Sequence, residues 1–118
     1  MASKNFFLNG VSDLLILSIL NSNDSYIYEI KKIIDEMSND YLPISQNTIY
    51  AAAYKLEEEG KISEYTKLVG KRRQRIYYHI EPAGKEYLDE LTTNYNLVTA
   101  TVNSILNYIN NKEESSNE

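Results

Sequence analysis

The residues of this chain that could do chemistry are bases, amides and hydroxyls rather than nucleophiles. Four bases stand within five residues: Lys71, Arg72, Arg73 and Arg75. Held that close, they repel one another unless an anion lies among them. A second stretch, from Ser45 to Leu56, contains no acid. It carries Ser45, Gln46, Asn47, Thr48, Tyr50, Tyr54 and Lys55. Asn and Gln amides pair bidentately with the edge of adenine, while hydroxyl and ammonium groups bind phosphate oxygens. A solvated turn and an ordinary helix start are the plain readings of each stretch alone. Together they offer recognition of double-stranded DNA rather than bond-making.

Other chemistries find little support. The one histidine, His79, falls in an alternating segment and is expected to be a solvent-facing strand residue. The chain has no cysteine, no glycine loop to cradle a phosphate and no His/carboxylate spacing of a metal site. No enzyme activity, cofactor or metal is expected. The acids Glu57, Glu58 and Glu59 are consecutive, so they do not converge on one point. The longest apolar run, Leu14 to Leu20, is interrupted by Ser18 and falls far short of the ~20 residues of a membrane span. The first residues lack the pattern of a secretory signal. The expectation is a cytoplasmic protein with no membrane partner.

The net charge of −5 argues against a polyanion until it is resolved along the chain. Lys61 to Ile80 holds six bases and one acid, against six bases and sixteen acids elsewhere. A basic island on an acidic body binds phosphate locally and repels it elsewhere.

The elements that must position these residues follow from periodicity and punctuation. Phe6, Phe7 and Leu8 are too apolar for a free tail. A buried helix is expected over Val11 to Asn21, capped by Asn9 or Ser12; a strand is the rival reading of so short an apolar run, and the leucines favour the helix. Asp24 or Ser25 should cap a second helix ending near Met37, with Tyr26, Ile30, Ile33 and Met37 on its inner face. Pro43 excludes helix just before it. Ser45 then caps a third helix to Glu59, with Ile49, Ala52, Ala53 and Leu56 inward and Gly60 ending it in the left-handed region. Ile62 to Leu68 and Arg75 to Ile80 read as the strands of a hairpin, with its loop at Gly70 to Arg73.

Pro82 suits the first turn of a last helix reaching about Asn110. There Leu88, Leu91, Tyr95, Val98, Val102, Ile105 and Ile109 recur in steps of three and four, a heptad seam. A body of about eighty residues cannot cover a stripe of roughly 43 Å. A second copy of the chain can. Lys112 to Glu118 reads as a disordered acidic tail. The fold class is therefore mainly α with a small β-hairpin: a winged helix-turn-helix over residues 1–81 and a dimerisation helix with its tail over residues 82–118.

At these residues the chain resembles the PadR family of bacterial transcription regulators, over about Val11 to Ile109. Thr48-Ile49-Tyr50 through Leu56-Glu57-Glu58-Glu59-Gly60 is similar to the family's recognition-helix pattern. Arg75-Ile76-Tyr77-Tyr78-His79-Ile80, followed by Gly84, resembles its wing strand, and Tyr26-Ile27-Tyr28-Glu29-Ile30 its second-helix motif. Ile27 stands where the family prefers Gly, Ala53 where Leu is usual, Tyr54 where Arg is frequent and Glu81 where a Thr caps the last helix. The single long C-terminal helix resembles the shorter subfamily, which dimerises through it. The resemblance implies a homodimeric repressor bound to an inverted repeat. Some members of the family bind a small aromatic or cationic effector between the two C-terminal helices; here Tyr95 and Val98 with Phe6 and Phe7 would line such a site, and plain dimer packing is the other reading of Tyr95. The alternative is a winged-helix protein-interaction module without DNA binding, which eleven tyrosines on an acidic chain would also suit.

Overall fold

The computed structural model describes residues 10–116. The order is α1 (Val11–Ser22), α2 (Ile27–Met37), α3 (Gln46–Glu58), β1 (Ile62–Val69), β2 (Arg73–Ile80) and α4 (Pro82–Ser116). Three helices, an antiparallel two-stranded hairpin and one long helix match the expected class. The chain divides between Leu88 and Asp89 into two compact units. Phe6, Phe7 and the proposed cap Asn9 lie outside the described residues.

In the first unit α1 packs on α3 and on β2, and α2 packs on α3. The core is built from Ile16, Leu17 and Leu20 of α1, Ile30 and Ile34 of α2, Ile49, Ala53 and Leu56 of α3, and Ile62, Tyr78 and Ile80 of the hairpin. Each Ile or Leu among them contributes roughly 1.5–3 kcal/mol by leaving water. Asp13, in the first turn of α1, is buried with them. Gly10, not Ser12, is the N-cap residue of α1.

The second helix turns a different face inward from the one expected. Ile27, Ile30 and Ile34 are buried, Tyr26 and Ile33 are half-covered, and Met37 is 81% exposed. Apolar residues occupy both possible stripes of this helix. Ile27 holds the inner position, and that choice rotates Met37 out of the core. Neither Asp24 nor Ser25 caps it: Tyr26 is the N-cap residue and makes no side-chain capping bond. The chain leaves α2 through Asn39 and Asp40, both left-handed with φ of 51° and 60°. These are the non-glycine residue types that tolerate that region best.

Ile44, buried after Pro43, ties the incoming chain to the core, and Ser45 caps α3 as expected. Its Oγ accepts the Thr48 N–H at 3.1 Å. Ile49, Ala53 and Leu56 face inward, while Ala52 is only half-buried. Gly60 ends the helix at φ 73°. At the start of α4, Gly84 is buried against the Lys61 carbonyl oxygen, and a Cβ there would collide with it.

The hairpin is longer than expected. Ile62 pairs with Ile80 and Val69 with Arg73, so the turn is Gly70, Lys71 and Arg72, and Arg73 belongs to β2. The last helix also runs on, to Ser116 rather than Asn110. Its 35 residues span roughly 52 Å. No glycine or proline follows Gly84 to stop it, and Lys and Glu are good helix formers. Lys112 to Ser116 are therefore helical, not a disordered tail.

Candidate nucleic-acid interface

One face of α3 is committed to the core, so the opposite face is free. Ser45, Gln46, Asn47, Thr48, Tyr50, Ala51, Tyr54 and Lys55 are all exposed. Among the described residues no protein group takes up the Gln46 or Asn47 amide, and both stand in the first turn of the helix. N–H groups at a helix start favour a nearby anion. Ser45 and Thr48 are tied to each other, Oγ to Oγ1, at 2.9 Å. Tyr50 and Tyr54 lie a turn apart along the same face, with exposed Ala51 between them leaving room for close approach.

Lys55 is not a free cation. Its ammonium meets the Asp13 carboxylate at 3.1 Å, with Asp13 nearly covered and Lys55 half-exposed. The hydrogen bond from Lys55 to Asp13, then the charge of Asp13, raise the lysine pKa above its ordinary value. The pair fixes α3 to α1. Asp13 was not among the residues singled out from sequence, because the two partners are 42 residues apart.

At the wing tip Gly70 has φ 78°, and Lys71 and Arg72 sit in the turn beside Arg73. All three bases are exposed, and among the described residues none forms an ion pair. Arg75 behaves differently. It is half-buried, with its guanidinium 4.0 Å from the centre of the Tyr26 ring. The four-residue basic cluster thus separates into three free charges and one stacked on an aromatic face. Lys67, opposite Arg75 in the register, lies 5.2 Å from the Tyr77 ring centre.

The register fixes which side chains share a face. Ser63, Tyr65, Lys67 and Val69 lie with His79, Tyr77, Arg75 and Arg73 on the outer face, which meets the α1–α2 turn. Ser25 joins β2 there: its N–H donates to the Tyr78 carbonyl at 3.3 Å, and the Tyr78 N–H donates back at 2.8 Å. Beside it, Tyr65 donates to the Asp24 carboxylate at 2.7 Å, and His79 Nδ1 lies 2.8 Å from the other Asp24 oxygen. Burial works to raise the Asp24 pKa, but hydrogen bonds from His79 and Tyr65, with the charges of His79 and Lys67, outweigh it and leave the carboxyl below its ordinary value. His79 is the exposed strand residue expected, and Asp24 also holds it in place. The nearby Ser25 hydroxyl donates to the Asn23 carbonyl rather than to the imidazole.

Acids lie on the inner face, toward the base of the wing. Burial, then the charge of Glu64 and a hydrogen bond shared with it, raise the Glu57 pKa. Tyr78 is raised too, by burial and by Glu64 and Glu57. Among the described residues no group of His, Cys, Asp and Glu could hold a metal ion, and no helix is long and apolar enough to cross a membrane.

The seam residues of α4 divide. Leu88 is buried in the first unit and Leu91 is half-covered. In the second unit Tyr95, Val98, Val102, Ile105 and Ile109 are exposed. Leu97, Leu106 and Tyr108, outside the seam, are exposed as well, so the uncovered apolar band is wider than the heptad read from sequence.

The sequence pattern of the transcriptional regulator PadR-like family matches residues 16–90. A protein of Lysinibacillus sphaericus described only as uncharacterized is 36% identical over 84 residues, covering 71% of this chain and 77% of that protein. The structure of a transcriptional regulator from Clostridium thermocellum superposes with a TM-score of 0.76 at 34% identity, over 83% of this chain and 92% of that one. A PadR-like transcriptional regulator from Bacillus cereus gives a TM-score of 0.73 at 29% identity, over 84% and 94%. This chain therefore belongs to the PadR-like family and is a transcriptional regulator, not an enzyme.

Proposed function

We propose that the chain is a cytoplasmic repressor that binds an inverted-repeat operator as a homodimer. The observation that carries this reading is the free, acid-free face of α3 beside a wing tip with three unpaired bases. In this account α3 enters the major groove, with Gln46 and Asn47 reaching base edges. Ser45, Thr48, Tyr50 and Tyr54 bond to backbone oxygens. One good bidentate amide contact gives about 1–3 kcal/mol of discrimination between bases. Lys71, Arg72 and Arg73 take the flanking phosphates. Lys55 and Arg75 serve mainly by holding α3 and the wing in place.

Residues 1–81 form the reading head and residues 82–118 the dimerisation part, with Leu88 rooting the helix in the head. Exposed Tyr95, Val98, Val102, Ile105 and Ile109 support pairing of two copies along α4, because so much apolar surface is costly in water. Tyr95 and Val98 are the residues on which a flat aromatic or cationic effector would stack, with Phe6 and Phe7 as further candidates.

Selection of binding sites from random duplexes with the purified protein tests the reading. The expected product is a symmetric site whose half-sites are about one helical turn, roughly 34 Å, apart. Recovery of no enriched sequence, with no mobility shift at any salt concentration, would instead favour a protein-interaction module.

A further inference from the structure

We infer that Asp24 is a positioning residue for DNA binding: by bridging Tyr65 on β1 and His79 on β2, it fixes the wing so that the tip bases meet the phosphate backbone. The inference rests on the DNA-binding reading above.

The wing needs such a device. Its base is buried through Ile62, Tyr78 and Ile80, but from Thr66 to Gln74 the hairpin is almost wholly exposed. An isolated two-stranded hairpin is marginal in water. A free wing would therefore sample many orientations, and binding would have to order it at the expense of affinity. The inner face is supported by the core. Among the described residues the outer face is held at its base by the Ser63 hydroxyl, which donates to the Glu81 carboxylate, and above that by the turn between α1 and α2.

In that turn Asp24 is the one side chain that reaches both strands at once. Its two oxygens are divided between Tyr65 and His79, at 2.7 and 2.8 Å. Tyr65 stacks on Tyr77 with centroids 5.7 Å apart. Tyr77 meets the edge of Tyr26 at 5.4 Å, and the Arg75 guanidinium covers the Tyr26 ring. Asp24 thus anchors one end of an aromatic stack that extends toward the tip. The ordinary role for an aspartate at this place is to cap the following helix, and Asp24 does not do so.

The test uses the full chain and a duplex recovered by selection. Asp24→Ala should weaken binding by about tenfold, the scale of re-ordering one or two side chains. Asp24→Asn should recover most of the loss, because its amide oxygen still accepts from Tyr65 and its amide hydrogens can meet a neutral His79 nitrogen. In this inference Asp24 acts only through the phosphate contacts of the three tip bases. In a protein already carrying Lys71→Ala, Arg72→Ala and Arg73→Ala, Asp24→Ala should therefore change affinity less than twofold. Full multiplication of the two effects would overturn the inference, as would wild-type affinity for Asp24→Ala. Ring NMR signals of Tyr65 and His79 should move in Asp24→Ala while the Ile16 and Leu17 methyl signals stay. If Asp24→Ala does not fold, Tyr65→Phe removes one of the two bonds and should still show the same loss of coupling to the tip. A wild-type protein that binds no duplex would sink the DNA reading itself. Binding that is indifferent to Asp24 would sink only the clamp.

Discussion

Leu88 and Val98 share one helix and one heptad seam, ten residues apart, yet Leu88 is 8% exposed and Val98 62%. Their sequence signal is the same. The difference lies in what each meets: Leu88 is part of the first unit's core, and Val98 belongs to an apolar band that is exposed among the described residues. Periodicity tells which residues seek burial. It does not tell what buries them. In the first unit the chain answers that need itself. In the second, the proposed cover is another copy.

Substitutions on each side of this divide should act differently. Leu56→Ala, in the head's core, should lower its unfolding free energy by about 2–5 kcal/mol in urea titration. That is a large part of the ~5–15 kcal/mol of a typical domain. An effect no larger than that of a surface change would break the assignment of the core. Val102→Glu with Ile105→Glu should convert dimers to monomers in sedimentation, while the methyl NMR signals of the head's core remain. Dimers that survived both charges would place the interface elsewhere.

The smallest effect concerns Glu57 and Glu64. The Glu57 carboxyl titrates above its ordinary value of 4.5, so the folded chain holds that proton more tightly than the unfolded one. Its favourable contribution is complete below that ordinary value and is lost as pH rises through the folded value. At neutral pH the two carboxylates oppose each other. Glu57→Gln should therefore raise the melting temperature slightly at pH 7 and make no gain near pH 3. A gain of equal size at both would show that charge is not the cause.

What sequence revealed depended on punctuation and distance. The third helix was legible almost to the residue because Pro43, Ser45 and Gly60 mark its ends with local chemistry. The inner face of α2 was not, since Tyr26, Ile27, Ile30, Ile33, Ile34 and Met37 supply two competing stripes, and only packing against α3 selects one. The end of α4 was misplaced because nothing in Lys112 to Ser116 stops a helix. Gln46, Asn47 and the wing-tip bases stand out as candidates in the local sequence, and the structure leaves them exposed. The pairs that set their geometry could not. Asp13 with Lys55, and Asp24 with Tyr65 and His79, span 41 to 55 residues and leave no local pattern. The same blindness made Arg75 look like Arg72, although one is stacked on Tyr26 and the other is free.

The central claim is that the free α3 face and the wing tip bind DNA together. It is tested most directly by the salt dependence of affinity for a selected duplex, measured for the wild type and for Lys71→Ala/Arg72→Ala/Arg73→Ala. The variant should bind every sequence more weakly, with the log–log salt slope smaller by about one per phosphate contact removed. Equal affinity and an unchanged slope would contradict it.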